Sequence, residues 1–260
     1  MYREGFYYTE QGIWIRSPGK NRLWASILFC LSTGTRSNGS LLFVFQIAVS
    51  VNELINLSLN SKLKLSSVSK EFFTLLITGL IHSSPIFLVL GNGYRVYCKD
   101  MGSPYCFSYF PSIYNYVQDK YWNVGLFRYW ELKQVPNFLL AFPMVYISVR
   151  GIFGYVRRDY LKFLSFGAVC KDPSTKKPHF FHGITAPFIL YWLINTLILT
   201  FVANTQIITR ALCSLPVLYW YLAHVLQSQS AAQSQTWLLL FFSSYSLIGL
   251  NLFSNFYPWT

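Results

Sequence analysis

The sequence predicts an all-α fold, a polytopic transmembrane helical bundle of about six to seven spans. Three observations predict it. Hydrophobic residues make up 53% of the 260 and charged residues only 12%, about half the charge of an ordinary globular chain. Between Pro178 and Thr260 the one charged residue is Arg210. The remaining charge collects in connectors between apolar runs, each close to the roughly 20 residues that a helix needs to cross about 30 Å of hydrocarbon. Water cannot solvate such a chain in a common soluble fold, which excludes a disordered chain, a collagen and a cytosolic enzyme. Five cysteines are too few for a disulfide scaffold, and none has zinc-site spacing, so no metal is expected. The net charge of +12 would suit nucleic acid if it formed one face, but spread through connectors it reads as a topology signal and excludes that partner.

The spans run in order along the chain. Segments 23–31 and 41–51 are each too short to cross alone, and are either two short helices meeting at a turn or one helix broken at 32–40. Segment 72–94 is uncharged and long enough. Segment 135–149 is expected to end at a snorkelling Arg150, with 151–156 beyond it. Segments 185–204, 211–226 and 237–256 complete the set, the last two separated by an uncharged linker at 227–235. With seven crossings, 14 Lys and Arg fall in 1–22, 57–70 and 150–177, and seven in the alternate connectors. The positive-inside rule then places the first group in the cytosol and the 91–134 loop on the lumenal or exterior side. Met1 to Thr9 lacks the apolar region of a secretory signal. The whole chain, 1–260, is expected to form one transmembrane domain carrying luminal loop 91–134.

That loop carries the chemistry. It interleaves tyrosines and tryptophans with Asp119, Arg128, Glu131 and Lys133 directly before a span. Aromatic faces hold sugars and lipid tails, and cations meet phosphate, so the mixture suits an amphiphilic substrate. The plainer reading is an interfacial belt that anchors the loop. Five stretches stand out: Thr35-Arg36-Ser37-Asn38-Gly39, Tyr121-Trp122-Asn123-Val124-Gly125 with Phe127-Arg128-Tyr129, the block from Glu131 through Lys133, Gln134 and Asn137 to Ala141, the run Pro216 to His224, and Asn255 to Thr260. On these the chain resembles the phosphatidylinositol-glycan class V mannosyltransferase (GPI mannosyltransferase 2) family.

The resemblance implies a lipid-dependent glycosyltransferase (GT-C-like) fold in the endoplasmic reticulum membrane. It implies transfer of the second mannose, in α1,6 linkage, from dolichol-phosphate-mannose to the glycosylphosphatidylinositol (GPI) anchor precursor. No cofactor is implied beyond that lipid-linked donor, and a small accessory membrane subunit is a possible partner. Family members are longer at the N-terminus, where a first luminal loop bears an acidic residue implicated in catalysis. The chain is therefore expected to be the C-terminal half, inactive alone, with its catalytic residue unknown. Two other classes stand beside the enzyme: a non-catalytic membrane remnant, and a transporter or channel, which the lack of Asp, Glu, Lys and Arg in 72–94 disfavours.

Asp119 and Glu131 are the weak candidates for a base, with Asp100 further off. The expected substrate-binding residues are Arg36, Asn38, Trp122, Asn123, Arg128, Tyr129, Lys133 and Gln134. Arg128 and Lys133 are assigned to phosphate because a guanidinium suits it bidentately; against this, Glu131 could simply pair with Arg128 or Lys133. Arg36 is either a site residue or a snorkelling cation at a short turn. The sequons at Asn38 and Asn56 abut spans and are not expected to be modified. His179 and His182, at i and i+3, are read as a helix entry and not a metal pair, and His82 as a satisfied core histidine. Cys98 and Cys106, eight residues apart in the loop, can pair in an oxidising compartment.

Overall fold

The computed structural model describes residues 22–99, 104–169, 180–228 and 232–255. Asp100, His179, the basic residues of 1–21 and the last residues of the Asn255 motif lie outside them. Every described element is helical, as a chain in lipid requires when each backbone group must be satisfied within its own segment.

Helix α1 (Arg22–Thr35) buries Arg22, Ala25, Ser26, Phe29 and Thr33, one face at three- and four-residue spacing. Arg36 then takes an extended conformation, a 3-10 turn covers Ser37–Leu42, and α2 runs Phe43–Leu59. Segment 23–51 is therefore two helices meeting at a turn. Gly39 makes the turn possible: a Cβ there would sit 2.5 Å from the Thr33 nitrogen and 2.6 Å from the Ser32 carbonyl carbon. Helix α3 (Leu65–Tyr97) has 33 residues, about 50 Å at 1.5 Å per residue, so it outreaches the hydrocarbon at its ends. Pro85 within it deprives the Ile81 carbonyl of its usual donor. The Ser84 hydroxyl donates to that carbonyl at 2.8 Å instead.

Beyond the loop lie α4 (Ile113–Trp122) and a 3-10 turn, Leu132–Gln134, that leads into α5 (Val135–Arg158). The expected end of this span at Arg150 is corrected: α5 continues through it to Arg158. The continuation is a packing face, since a Cβ on Gly151 would sit 2.6 Å from the Trp192 ring. After the short α6 (Tyr160–Leu164), His182 begins the next span, its Nδ1 accepting from the Ile184 amide at 3.2 Å. This is the helix entry expected of it. Helix α7 (Ala186–Phe201) follows, then α8 (Ile208–Cys213), α9 (Pro216–Gln227) and α10 (Ala232–Ser254). Segment 211–226 is thus divided, because Pro216 starts a helix more readily than it continues one. The Gln235 amide donates to the carbonyls of Val225, Leu226 and Ser228, satisfying the end of α9 that the uncharged linker leaves bare.

Hydrogen bonds fix how the helices run. Arg22, Ser50 and Glu71 meet at one level, and Thr33, Ser40 and His82 at another. Helices α1 to α3 therefore run out, back and out again. The Tyr155 hydroxyl of α5 donates to the His182 carbonyl beside the start of α7, and the Trp130 indole donates to the Thr200 carbonyl at its far end. Arg36, the 104–134 loop and the end of α7 thus share one face of the bundle, here the loop face. Phe29, Phe45, Met144, Tyr155, Ile189, Trp192, Leu212 and Leu218 form the core, and the Trp192 indole donates to Ser148 across α5 and α7.

Among the described residues, four helical stretches are long and apolar enough to span a membrane: Ser37–Leu59, Leu65–Tyr97, Leu132–Arg158 and Gly183–Phe201. Helices α1 and α9, at 14 and 12 residues, reach only about 21 and 18 Å. Helix α10 has the length, but glutamine, serine and asparagine interrupt its apolar run.

Candidate substrate site

The loop is pinned at three places. Cys98, just past α3, is disulfide-bonded to Cys106, and the buried Tyr105 donates to the Gly93 carbonyl at 3.2 Å. Helix α4 is capped by the Ser112 hydroxyl accepting from the Asn115 amide, and its Tyr114 hydroxyl donates to Ser37 at 2.8 Å, tying it to the Arg36 turn. The segment after α4 binds the end of α7: the Gly125 amide donates to the Val202 carbonyl at 3.0 Å and the Phe127 amide to the Phe201 carbonyl at 2.8 Å. Asn123 ends α4 in the left-handed region at φ 50°, which asparagine tolerates better than most residues. Its amide donates to the Arg128 carbonyl at 3.1 Å.

Between these anchors lies an open cavity of about 630 Å³ lined by Tyr105, Phe110, Ser112, Asn115, Tyr116, Asp119, Gly125 and Arg128 among others. Of the residues expected from sequence, Arg128 and Asp119 reach it, and they are joined to each other in an ion pair. Both side chains are half exposed, 52% and 51%. Gly125 makes room for the arginine stem, since a Cβ there would meet Arg128 Cδ at 2.7 Å. The aromatic wall comes from Tyr105 and Tyr116, whose rings lie 5.5 Å apart. Lys120 donates to the Tyr116 hydroxyl at 3.0 Å, and that bond pushes its ammonium further into the charged range.

The other expected residues are placed elsewhere. Glu131 pairs with Lys133 at 2.5 Å, the plain reading of both. Tyr129 is buried and accepts a hydrogen bond from Asn137 at 3.0 Å, so it packs the loop onto α5. Gln134 accepts from the same Asn137 amide at 2.6 Å. Trp122 and Asn123 stand at the end of α4, outside the cavity lining, and Trp122 is exposed. Arg36 and Asn38 are exposed on the turn beneath Tyr114, at the other end of α4. Tyr105, Ser112, Asn115 and Tyr116 were not anticipated. The signal was present for three of them, since Ser112, Asn115, Tyr116 and Asp119 stand at i, i+3, i+4 and i+7 and share one helical face. Among the described residues no group of three His, Cys, Asp or Glu could hold a metal ion.

A cavity with a cation at its rim and tyrosines on its wall thus opens on the loop face of a helical membrane bundle. The family model described as mannosyltransferase (PIG-V) matches residues 1–260. The chain belongs to the PIG-V mannosyltransferase family. It is 32% identical over 312 residues to GPI alpha-1,6-mannosyltransferase 2 of Cricetulus griseus, covering 93% of this chain and 63% of that protein. It is 39% identical over 170 residues to GPI mannosyltransferase 2 of Drosophila melanogaster, covering 61% of this chain and 36% of that protein. The human GPI alpha-1,6-mannosyltransferase 2 is 28% identical over 311 residues, 93% of this chain and 62% of that protein. The chain thus spans less than two thirds of the length of these PIG-V relatives. No solved structure matches it.

Proposed function

We propose that this PIG-V chain contributes the acceptor- and donor-binding loop of an enzyme that adds the second, α1,6-linked mannose to the GPI precursor. Dolichol-phosphate-mannose is the donor, with the loop face on the luminal side of the endoplasmic reticulum membrane. The single observation that carries the reading is Arg128 at the rim of an aromatic-walled cavity: lipid-linked sugars and inositol phospholipids both present a phosphate beside an apolar or sugar moiety, and a guanidinium fork suits it. Two observations favour the orientation. Arg22 is buried against Glu71 and Arg150 lies within α5, so both leave the interfacial count, but 12 basic residues still stand against seven, and a disulfide on the loop face belongs in an oxidising compartment. An accessory membrane subunit, if one binds, has the exposed apolar length of α3 open to it.

The base stays unassigned within this reading, since Glu131 and Asp119 are each held by a cation. The test is a chimera in which these 260 residues replace the matching region of the Cricetulus griseus protein, expressed in cells that lack second-mannose transfer. Restored transfer is the expected result; a chimera that inserts and accumulates normally but transfers no mannose overturns the reading.

A further inference from the structure

The ion pair at the cavity rim joins two segments that are anchored independently. Asp119 stands on α4, held to the Arg36 turn through Tyr114 and Ser37. Arg128 stands on the segment held to α7 through Gly125 and Phe127. The backbones are fixed on both sides, while the two charged side chains are half exposed and line the cavity. That Arg128 binds phosphate rests on the proposed function; that a carboxylate already occupies it does not.

We infer that Asp119 is a built-in competitor for Arg128: an incoming phosphate displaces the carboxylate from the guanidinium and leaves Asp119 facing the filled cavity. The magnitudes permit the exchange. A half-exposed pair is worth at most about fivefold in an equilibrium, because water already solvates both partners. A phosphate presents more charge and more acceptor oxygens to the same fork. Asp119 cannot follow Arg128 without unwinding α4, which Ser112 and Asn123 cap at its two ends. The exchange therefore gives selectivity: a neutral glycolipid has nothing with which to displace Asp119, and only a phosphate-bearing ligand opens the rim. It also orders events, since Asp119 is free to accept a hydrogen bond from a sugar hydroxyl only after phosphate has taken Arg128.

The exchange is tested by equilibrium binding to the 260-residue chain in a phosphate-free, non-ionic detergent. Three phosphate sources are compared: inorganic phosphate, a polyprenyl phosphate and phosphatidylinositol. Asp119→Asn should tighten binding about three- to fivefold for the physiological source, Asp119→Glu should keep wild-type affinity, and Arg128→Gln should weaken binding tenfold or more. The lipid for which the asparagine effect appears identifies donor-like or acceptor-like phosphate; an effect with inorganic phosphate alone assigns the site to the free ion. Asp119→Ser serves as a second neutral variant, and an intact Cys98–Cys106 disulfide by gel mobility confirms the fold. Unchanged or weaker binding by both neutral variants overturns the inference, with Arg128→Gln still deficient, and leaves the phosphate reading intact. Normal binding by Arg128→Gln, or no binding of any source by the wild type, overturns both. A chimera that transfers no mannose while Asp119→Asn tightens binding overturns the proposed function only.

Discussion

Trp130 lies nearly flat on Phe201, with ring centroids 5.7 Å and planes 19° apart, and its indole donates to the Thr200 carbonyl at 2.9 Å. One residue thus closes the exposed end of α7 and fixes the loop to the bundle. Aromatic pairs add about 0.5–1.5 kcal/mol beyond their buried area, and a hydrogen bond about 1 kcal/mol.

Trp130→Ala should accordingly destabilise the loop by about 2 kcal/mol, and Trp130→Phe, which keeps the stack and loses the donor, by about 1 kcal/mol. Protease cleavage within 104–134 should accelerate about thirtyfold in the alanine variant and about fivefold in the phenylalanine variant. Equal cleavage rates in all three proteins would remove Trp130 from the anchor.

Much of the bundle was legible in sequence, because lipid imposes length and apolarity on each span. The apolar runs at 72–94 and 185–204 lie within helices in nearly the expected places. What was not legible turned on partners distant in sequence. Arg150 reads as a span end until Gly151 is seen packed beneath Trp192. Nothing in the sequence around Tyr129 shows that it is buried with its hydroxyl bonded to Asn137. Arg22 reads as an interfacial cation, yet it is 6% exposed and bonded to Glu71 at 2.6 Å, 49 residues away. The cavity lay in between: its cation was visible, but its floor depended on α4 turning one polar face inward.

The Arg22 and Glu71 pair yields a second expectation. Removing one partner strands a buried charge, so Arg22→Met should cost about 3–5 kcal/mol, whereas Arg22→Met with Glu71→Leu should recover most of that loss. Thermal unfolding in detergent reports it. A double variant no more stable than Arg22→Met would show that the helices need the ions themselves.

Gly39 and Gly91 form a contrasting pair. A methyl group on Gly39 meets backbone that cannot yield, so Gly39→Ala should cost about 1–3 kcal/mol and loosen the Arg36 turn. Nothing lies within 4 Å of a Cβ on Gly91, and alanine is the better helix former there by about 0.5–1 kcal/mol. Comparing unfolding temperatures of the two variants checks both signs; a neutral Gly39→Ala would mean that α1 and the turn can separate without loss.

The orientation can be read chemically. Phe110 is exposed beside the disulfide on the loop face. In sealed microsomes, in a chain whose Cys30, Cys170 and Cys213 are replaced by serine, a cysteine placed by Phe110→Cys should react with an impermeant maleimide only after the membrane is opened, and reduction should shift the mobility of the wild-type chain. Labelling of intact microsomes from the cytosolic side would invert the topology and move the cavity out of the lumen.

The last expectation separates a phosphate site from a mere anchor. Arg128 is held by its backbone, through the Asn123 amide and the neighbouring bonds to α7, so its side chain can be changed without releasing the loop. In the chimera, Arg128→Lys keeps the charge but loses the planar fork, and second-mannose transfer should fall by more than the retained charge suggests, about tenfold. Arg128→Ala removes the charge and should cost about 2–4 kcal/mol of transition-state stabilisation, roughly 30- to 1000-fold in rate. Lys133→Ala provides the control, because its ammonium is largely exposed and already paired with Glu131, and its loss should change transfer by less than about fivefold. The measurement is transfer of mannose to a GPI intermediate carrying one mannose, at matched protein abundance. Unchanged transfer by Arg128→Ala would reduce the loop to an aromatic belt at the membrane surface, with the phosphate held elsewhere.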